Sequence, residues 1–143
     1  MKDKEPPKQS LETSDWKESC AMKWRIAETY TQVFKDIPGL NPMREAEWAF
    51  NTFWMYTLLV DKARCGTSSR DLLCVLAENR IQTRPLWQPL HLSQAHRGGV
   101  LLNYLVAEGL NRDALSLPCS VGLTQEKQAC VIRSVRHILG VGQ

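Results

Sequence analysis

The longest apolar run in this chain is FWMYTLLV, Phe53–Val60. It falls far short of the roughly 20 apolar residues that a helix needs to cross a bilayer. It is rich in aromatic and branched side chains and bounded by Asn51 and Asp61, so it predicts a central, buried strand over Asn51–Asp61. Trp54 and Tyr56 read as core residues of that strand. A buried strand needs neighbours on both edges and cover on its faces. The rest of the chain must therefore supply a sheet and the helices that shield it.

The surrounding pattern supplies them. Trp24, Ala27, Tyr30, Phe34 and Ile37 recur at helical spacing and predict a helix over Trp16–Asp36, ended by the breakers Pro38 and Gly39. Ser68 and Asp71 are spaced as a capping box, which starts a helix over SRDLLCVLAEN with Leu72, Leu73, Val75 and Leu76 inward. Asn79 reads as its left-handed terminator. IQTR, residues 81–84, reads as a short strand halted by Pro85. LLNYLVAEGLNRDA is helical, after a loosening at HRGGV, and LSLPCSVGLT is extended up to Pro118. Thr124 caps a last helix whose apolar stripe is Val131, Ile132, Val135, Ile138 and Leu139. Few strands among amphipathic helices predict a small α/β sandwich with helices over one sheet face. Residues 1–15, charged and proline-bearing, read as a flexible polar lead-in, and 16–143 as one folded domain.

Composition narrows the function. The formal charge of +3 is mild and its cations are scattered, so nothing resembles a nucleic-acid stripe. The N-terminus has no apolar segment of the secretory kind, which with the lack of a membrane span points to the cytoplasm. Five cysteines are odd in number, far apart and without a CxxC pair, which reads as free thiols in a reducing compartment. Cys74 and Cys130 fall on apolar helical stripes and read as buried, inert thiols. His91 and His96 lie at a spacing unsuited to one helical face, with no carboxylate between them, which argues against a metal.

IQTRPLWQPLHLSQAH, residues 81–96, concentrates polar recognition groups beside prolines. Pro85 and Pro89 fix φ and bias their predecessors towards extended backbone, so the segment leaves the sheet as a stiff arm. Arg84 on such an arm could grip a carboxylate or phosphate bidentately, or pair structurally with Glu78 or Asp71. Trp87 offers a flat apolar face and an N–H to a sugar, or it packs in the core. His91, between two leucines, either reaches a ligand or is a packed histidine with one backbone hydrogen bond.

RIAETYTQVFKDIPGL, NTFWMYTLLVD, SSRDLLCVLAENRIQTRPLWQPLHLSQAH and ALSLPCSVGLTQEKQACVIRSVRHIL follow one another in an order that resembles the C-terminal domain of the DegT/DnrJ/EryC1/StrS sugar aminotransferases. The resemblance spans about Lys23 to Gly140. TRPLWQPLHLS with ALSLPCSVGLT resembles the members that aminate nucleotide-linked keto-sugars for legionaminic-acid-type surface polysaccharides. It implies an α+β small domain of a fold-type-I, pyridoxal phosphate-dependent enzyme, with a mostly antiparallel sheet and helices on one face. It also implies homodimers that transfer an amino group from glutamate to a nucleotide-linked keto-sugar. By the same resemblance Arg84, Trp87 and His91 are substrate-binding positions.

The family's catalytic lysine, its pyridinium-binding aspartate and its phosphate-binding turn belong to a large domain that these segments do not resemble. No lysine here lies in the family's Ser-x-x-x-Lys context, and the family pattern starts where the small domain starts. The expectation is a chain with no cofactor of its own, inactive alone. Three roles follow: an isolated aminotransferase domain, half of a split enzyme completed by a cofactor-binding chain, or a module that binds a nucleotide-sugar or protein without chemistry. Trp16, Trp24 and Trp48 are candidates for an apolar patch through which it self-associates or meets a large domain.

Overall fold

The centre of the sheet is the apolar run itself, although only its second half forms the strand. The computed structural model describes residues 14–96 and 104–141. Helix α1 spans Ser14–Phe34, strand β1 Leu40–Pro42, strand β2 Tyr56–Val60, helix α2 Lys62–Cys65 and helix α3 Ser69–Glu78. Strand β3, Arg84–Pro85, precedes two short 3-10 turns at Leu90–Leu92 and Gln94–His96. Helix α4, Leu105–Asp113, strand β4, Ala114–Leu117, and helix α5, Gln125–Ile138, complete the order.

The four strands run antiparallel in the order β1-β2-β4-β3. Leu58 faces Leu115 and Tyr56 faces Leu117, so one sheet face is apolar. On the other face Thr57 Oγ1 and Ser116 Oγ lie 3.3 Å apart. The apolar face shares one core with Ile26, Tyr30 and Phe34 of α1, Leu72 and Leu76 of α3, and Val131 and Val135 of α5. Each leucine fully buried there contributes about 2 kcal/mol through removal from water. The expected α+β domain, with helices over one face of a small antiparallel sheet, is therefore present.

Polar ties fix the helices on that core. The Tyr30 hydroxyl donates to Pro118 O at 3.0 Å, and the Tyr56 hydroxyl lies 3.0 Å from Thr31 Oγ1. Buried Gln128 of α5 donates its amide to Ile26 O of α1 at 2.8 Å. Ser68 caps α3 in a full capping box with Asp71, and the Thr124 hydroxyl caps α5.

Several local expectations are corrected. Strand β2 starts at Tyr56 because Phe53 takes φ +47, outside any strand, with its N–H bonded to Asn51 Oδ1 at 2.8 Å. That turn sends Trp54 outward. It is 67 % exposed, not a core residue, whereas Tyr56 is fully buried as expected. Asn79 has φ −80, and the left-handed residue is its neighbour Arg80, φ +60. Arg80 N–H bonds to Ala77 O and Ile81 N–H to Leu76 O, so α3 ends in a Schellman motif capped by Asn79. Pro85 does not halt β3 but belongs to it, which is tolerated because β3 is an edge strand. Cys74 and Cys130 are exposed, not buried on apolar stripes; of the five cysteines only Cys119 is buried. The lead-in up to residue 13, residues 97–100 of the loosening at HRGGV, and the first three residues of the predicted helix 101–114 lie outside the described residues.

Candidate functional site

A cleft of about 940 Å³ opens where the end of β4, the edge strand β3 and the first turns of α5 meet α1. Its floor is set by Lys23 of α1. The Lys23 ammonium donates to Trp54 O at 2.8 Å and to Cys119 O at 2.9 Å, joining the segment before β2 to the segment after β4. Trp54 and Trp87 form one wall. Their rings stack with centroids 5.7 Å apart and planes inclined by 15°. Trp87 is 66 % exposed, so the core-packing alternative for it is set aside.

Arg80, Arg84 and Lys127 line the same cleft, and no aspartate or glutamate does so among the described residues. Neither expected ion-pair partner holds Arg84. Asp71 instead accepts from both the hydroxyl and the backbone N–H of Ser68. Those bonds hold the Asp71 carboxyl below its ordinary range. A cleft lined by one sign of charge, with low-dielectric walls, draws counter-ions into it.

The proline-bearing arm is stiffened from outside as well as by its own prolines. Asn111 of α4 donates its amide to Leu86 O at 2.7 Å and to Trp87 O at 3.0 Å. Farther along, His91 stacks on Tyr104, ring centroids 4.0 Å apart, and its Nε2 lies 2.8 Å from Glu108 Oε1. The structure thus gathers Arg84 and Trp87 into the cleft and leaves His91 beside α4. The partners missed by sequence reasoning are Lys23, Trp54, Arg80, Lys127 and Asn111. Each comes from a different segment, so no spacing rule could have joined them.

The match to known proteins accords with this fold. Residues 12–136 match the model of the DegT/DnrJ/EryC1/StrS aminotransferase family. The chain belongs to that family. It is 28 % identical over 117 residues to EpsN of Bacillus subtilis strain 168, named as a pyridoxal phosphate-dependent aminotransferase; the match covers 79 % of this chain and 29 % of EpsN. The fold matches the aminotransferase TlmJ of Streptoalloteichus hindustanus with a TM-score of 0.77 at 23 % identity, over 87 % of this chain and 33 % of that one. It also matches DesI, crystallised with its TDP-sugar product, with a TM-score of 0.78 at 21 % identity, over 87 % and 33 % of the two chains. The chain therefore spans about a third of the length of the relatives it matches.

The residues of this family member do not fit the family's cofactor. Pyridoxal phosphate needs a free lysine amine and a carboxylate at its pyridine nitrogen. The cleft contains no carboxylate among the described residues, and of its two lysines, Lys23 and Lys127, the first has its ammonium spent on two backbone carbonyls. What the cleft does offer is cations and flat apolar rings. That donor set suits an anionic ligand better than the cofactor's reactive end.

Proposed function

We propose that this chain is the substrate-facing small domain of a sugar aminotransferase, whose cofactor-binding portion is supplied by further sequence or by another chain. The observation that carries this reading is the pairing of a family match across residues 12–136 with a cleft that holds no cofactor-fitting carboxylate. In the completed enzyme, pyridoxal phosphate supplies the electron sink for amino transfer from glutamate to a nucleotide-linked keto-sugar. This domain's task is to close one side of the cleft, exclude water and orient the acceptor sugar.

Arg84 and Trp87 are the positions assigned to acceptor binding. His91 is assigned to the neighbouring surface of α4, which faces a partner domain or second subunit in a dimer. The exposed side chains of Leu90, Leu105 and Val106, each more than 70 % exposed, give that face its apolar character. The surface-polysaccharide pathway of the resemblance and a cytoplasmic setting belong to the same proposal. No helix among the described residues is long and apolar enough to cross a membrane.

Domain exchange tests the reading. This chain, spliced in place of the matching segment of EpsN, should give a protein that takes up pyridoxal phosphate and transfers amino groups from glutamate. The 143-residue chain alone should do neither. Visible absorbance of bound cofactor on the isolated chain, or a folded chimaera that never transaminates, would refute it.

A further inference from the structure

The pairing of β3 with β4 stops at Pro85, short of Trp87. Pro85 and Pro89 have no backbone N–H to donate, and the Trp87 side chain is exposed. Ordering an exposed side chain on an unpaired segment costs backbone and rotamer freedom that burial does not repay. The Trp87 indole nevertheless stacks on Trp54 with planes inclined by 15°. Something other than the sheet must set its backbone.

Helix α4 does so from behind. Asn111 Nδ2 carries two N–H groups and reaches two consecutive carbonyls, Leu86 O at 2.7 Å and Trp87 O at 3.0 Å. The first carbonyl belongs to the peptide plane before the Trp87 Cα, and the second to the plane after it. Peptide planes are rigid, so fixing both fixes φ and ψ of Trp87 and with them the direction of its side chain.

The same helix face holds the arm a second time. Tyr104, Glu108 and Asn111 follow at intervals of four and three residues, the spacing that puts side chains in one row. Tyr104 stacks on His91 and Glu108 Oε1 lies 2.8 Å from His91 Nε2. The helix is in turn tied to α3. Buried Ser69 donates its hydroxyl to Arg112 O at 2.7 Å, and Arg70 Nη2 donates to Asn111 O at 2.8 Å. No described residue of α4 lines the cleft, so the row acts through the arm and not on a ligand.

The structure assigns Asn111 as the positioning residue of the acceptor side of the cleft: it sets the backbone of Trp87, and through it the Trp54–Trp87 stack, without touching substrate. The acceptor role rests on the sugar-aminotransferase reading; control of the stack by Asn111 does not. Arg84 lies outside that control, because its backbone is set by pairing with Ser116 of β4.

The test uses the 143-residue chain and the circular dichroism of its stacked indoles. Trp87→Ala, a change at an exposed side chain, defines how much of the near-ultraviolet signal the pair supplies. Asn111→Asp keeps the shape of the side chain but sets oxygens against both carbonyls, and should remove most of that signal. Asn111→Ala adds no charge and suits a helix, and should do the same with the far-ultraviolet spectrum intact. Arg70→Ala frees the Asn111 carbonyl but spares its amide, and should keep the signal. Asn111 variants that retain the full pair signal overturn the assignment. So does an equal loss in Arg70→Ala, which would show that any loosening of α4 suffices.

In the EpsN chimaera, Asn111→Asp should lower transfer to a UDP-linked 4-keto-sugar at least about tenfold more than it lowers the cofactor's reaction with glutamate, since misplacing a binding group costs the step that uses it. Equal losses in the two half-reactions overturn the acceptor role. These outcomes are separable from domain exchange. An inactive parent chimaera, with the indole signal following Asn111, removes the aminotransferase reading and leaves the positioning of the stack. An active chimaera indifferent to Asn111 removes only this assignment.

Discussion

Lys23 reaches from the middle of α1 to the carbonyl of Trp54, 31 positions away, at 2.8 Å. Its second bond, to Cys119 O at 2.9 Å, closes a clasp across the mouth of the core. A single ammonium thus satisfies two carbonyls that no strand partner reaches, and it holds the outward turn that exposes Trp54.

Removing that clasp should loosen the cleft before it unfolds the domain. Lys23→Met leaves two carbonyls short of a donor, one of them part-buried, and should cost about 1–3 kcal/mol in urea unfolding. The near-ultraviolet circular dichroism of the Trp54–Trp87 pair should fall with it. A variant of unchanged stability and unchanged aromatic signal would show that the clasp is incidental.

Gly39 ends the turn after α1 at φ +86, and a Cβ there would lie 2.5 Å from Cys65 Sγ and 2.8 Å from Cys65 N. Gly39→Ala should therefore cost about 2 kcal/mol or more, from the left-handed backbone and the overlap together. Adding Cys65→Ala removes the sulfur but neither the backbone contact nor the φ, so the melting temperature should recover only in part.

The two capped helices should respond differently to acid. Thr124→Ala removes the hydroxyl that accepts from Lys127 N–H and should cost about 1 kcal/mol at neutral and mildly acidic pH. Ser68→Ala also removes the bonds that lower the Asp71 carboxyl. A depressed carboxyl stabilises the fold above its unfolded value, about 3.9, and that contribution vanishes as pH falls through the folded value. The gap between the parent chain and Ser68→Ala should therefore narrow below about pH 4, as measured by unfolding across a pH series.

Alkali should expose the buried phenols. Burial pushes the Tyr56 hydroxyl up from 10.0 to about 12 against the opposing bond to Thr31, and burial pushes Tyr30 up as well. A group raised in the folded state stabilises it fully below the unfolded value and loses that contribution through the folded one. Stability should hold to about pH 10 and fall between there and about 12, with tyrosinate absorbance rising in step with unfolding.

The cysteines should label in order of exposure. Cys74 and Cys130 should react first with an uncharged thiol reagent, and Cys119 last. Burial also pushes the Cys119 thiol up, with Lys23 opposing, so less of it is thiolate. Early labelling of Cys119 in folded protein would contradict the packing described around Phe53.

The sequence by itself determined three of the helices, α1, α3 and α5, because each carries its own instructions. The stripe Ala27–Tyr30–Phe34, the Ser68–Asp71 box and the Thr124 cap act within a few residues, where backbone geometry alone decides. It also determined that an apolar strand would lie at the centre, and its ordered blocks named the family. Tertiary structure decided what local pattern leaves open. Whether Phe53 continues a strand or turns out of it depends on Asn51, Lys23 and the packing of Trp24, and that choice moved Trp54 from core to surface. The brief strands Leu40–Pro42 and Arg84–Pro85 exist only because β2 and β4 offer them edges. The cleft is of the same kind: its cations and indoles come from separate segments, and only the closing of the sheet against α1 and α5 brings them together.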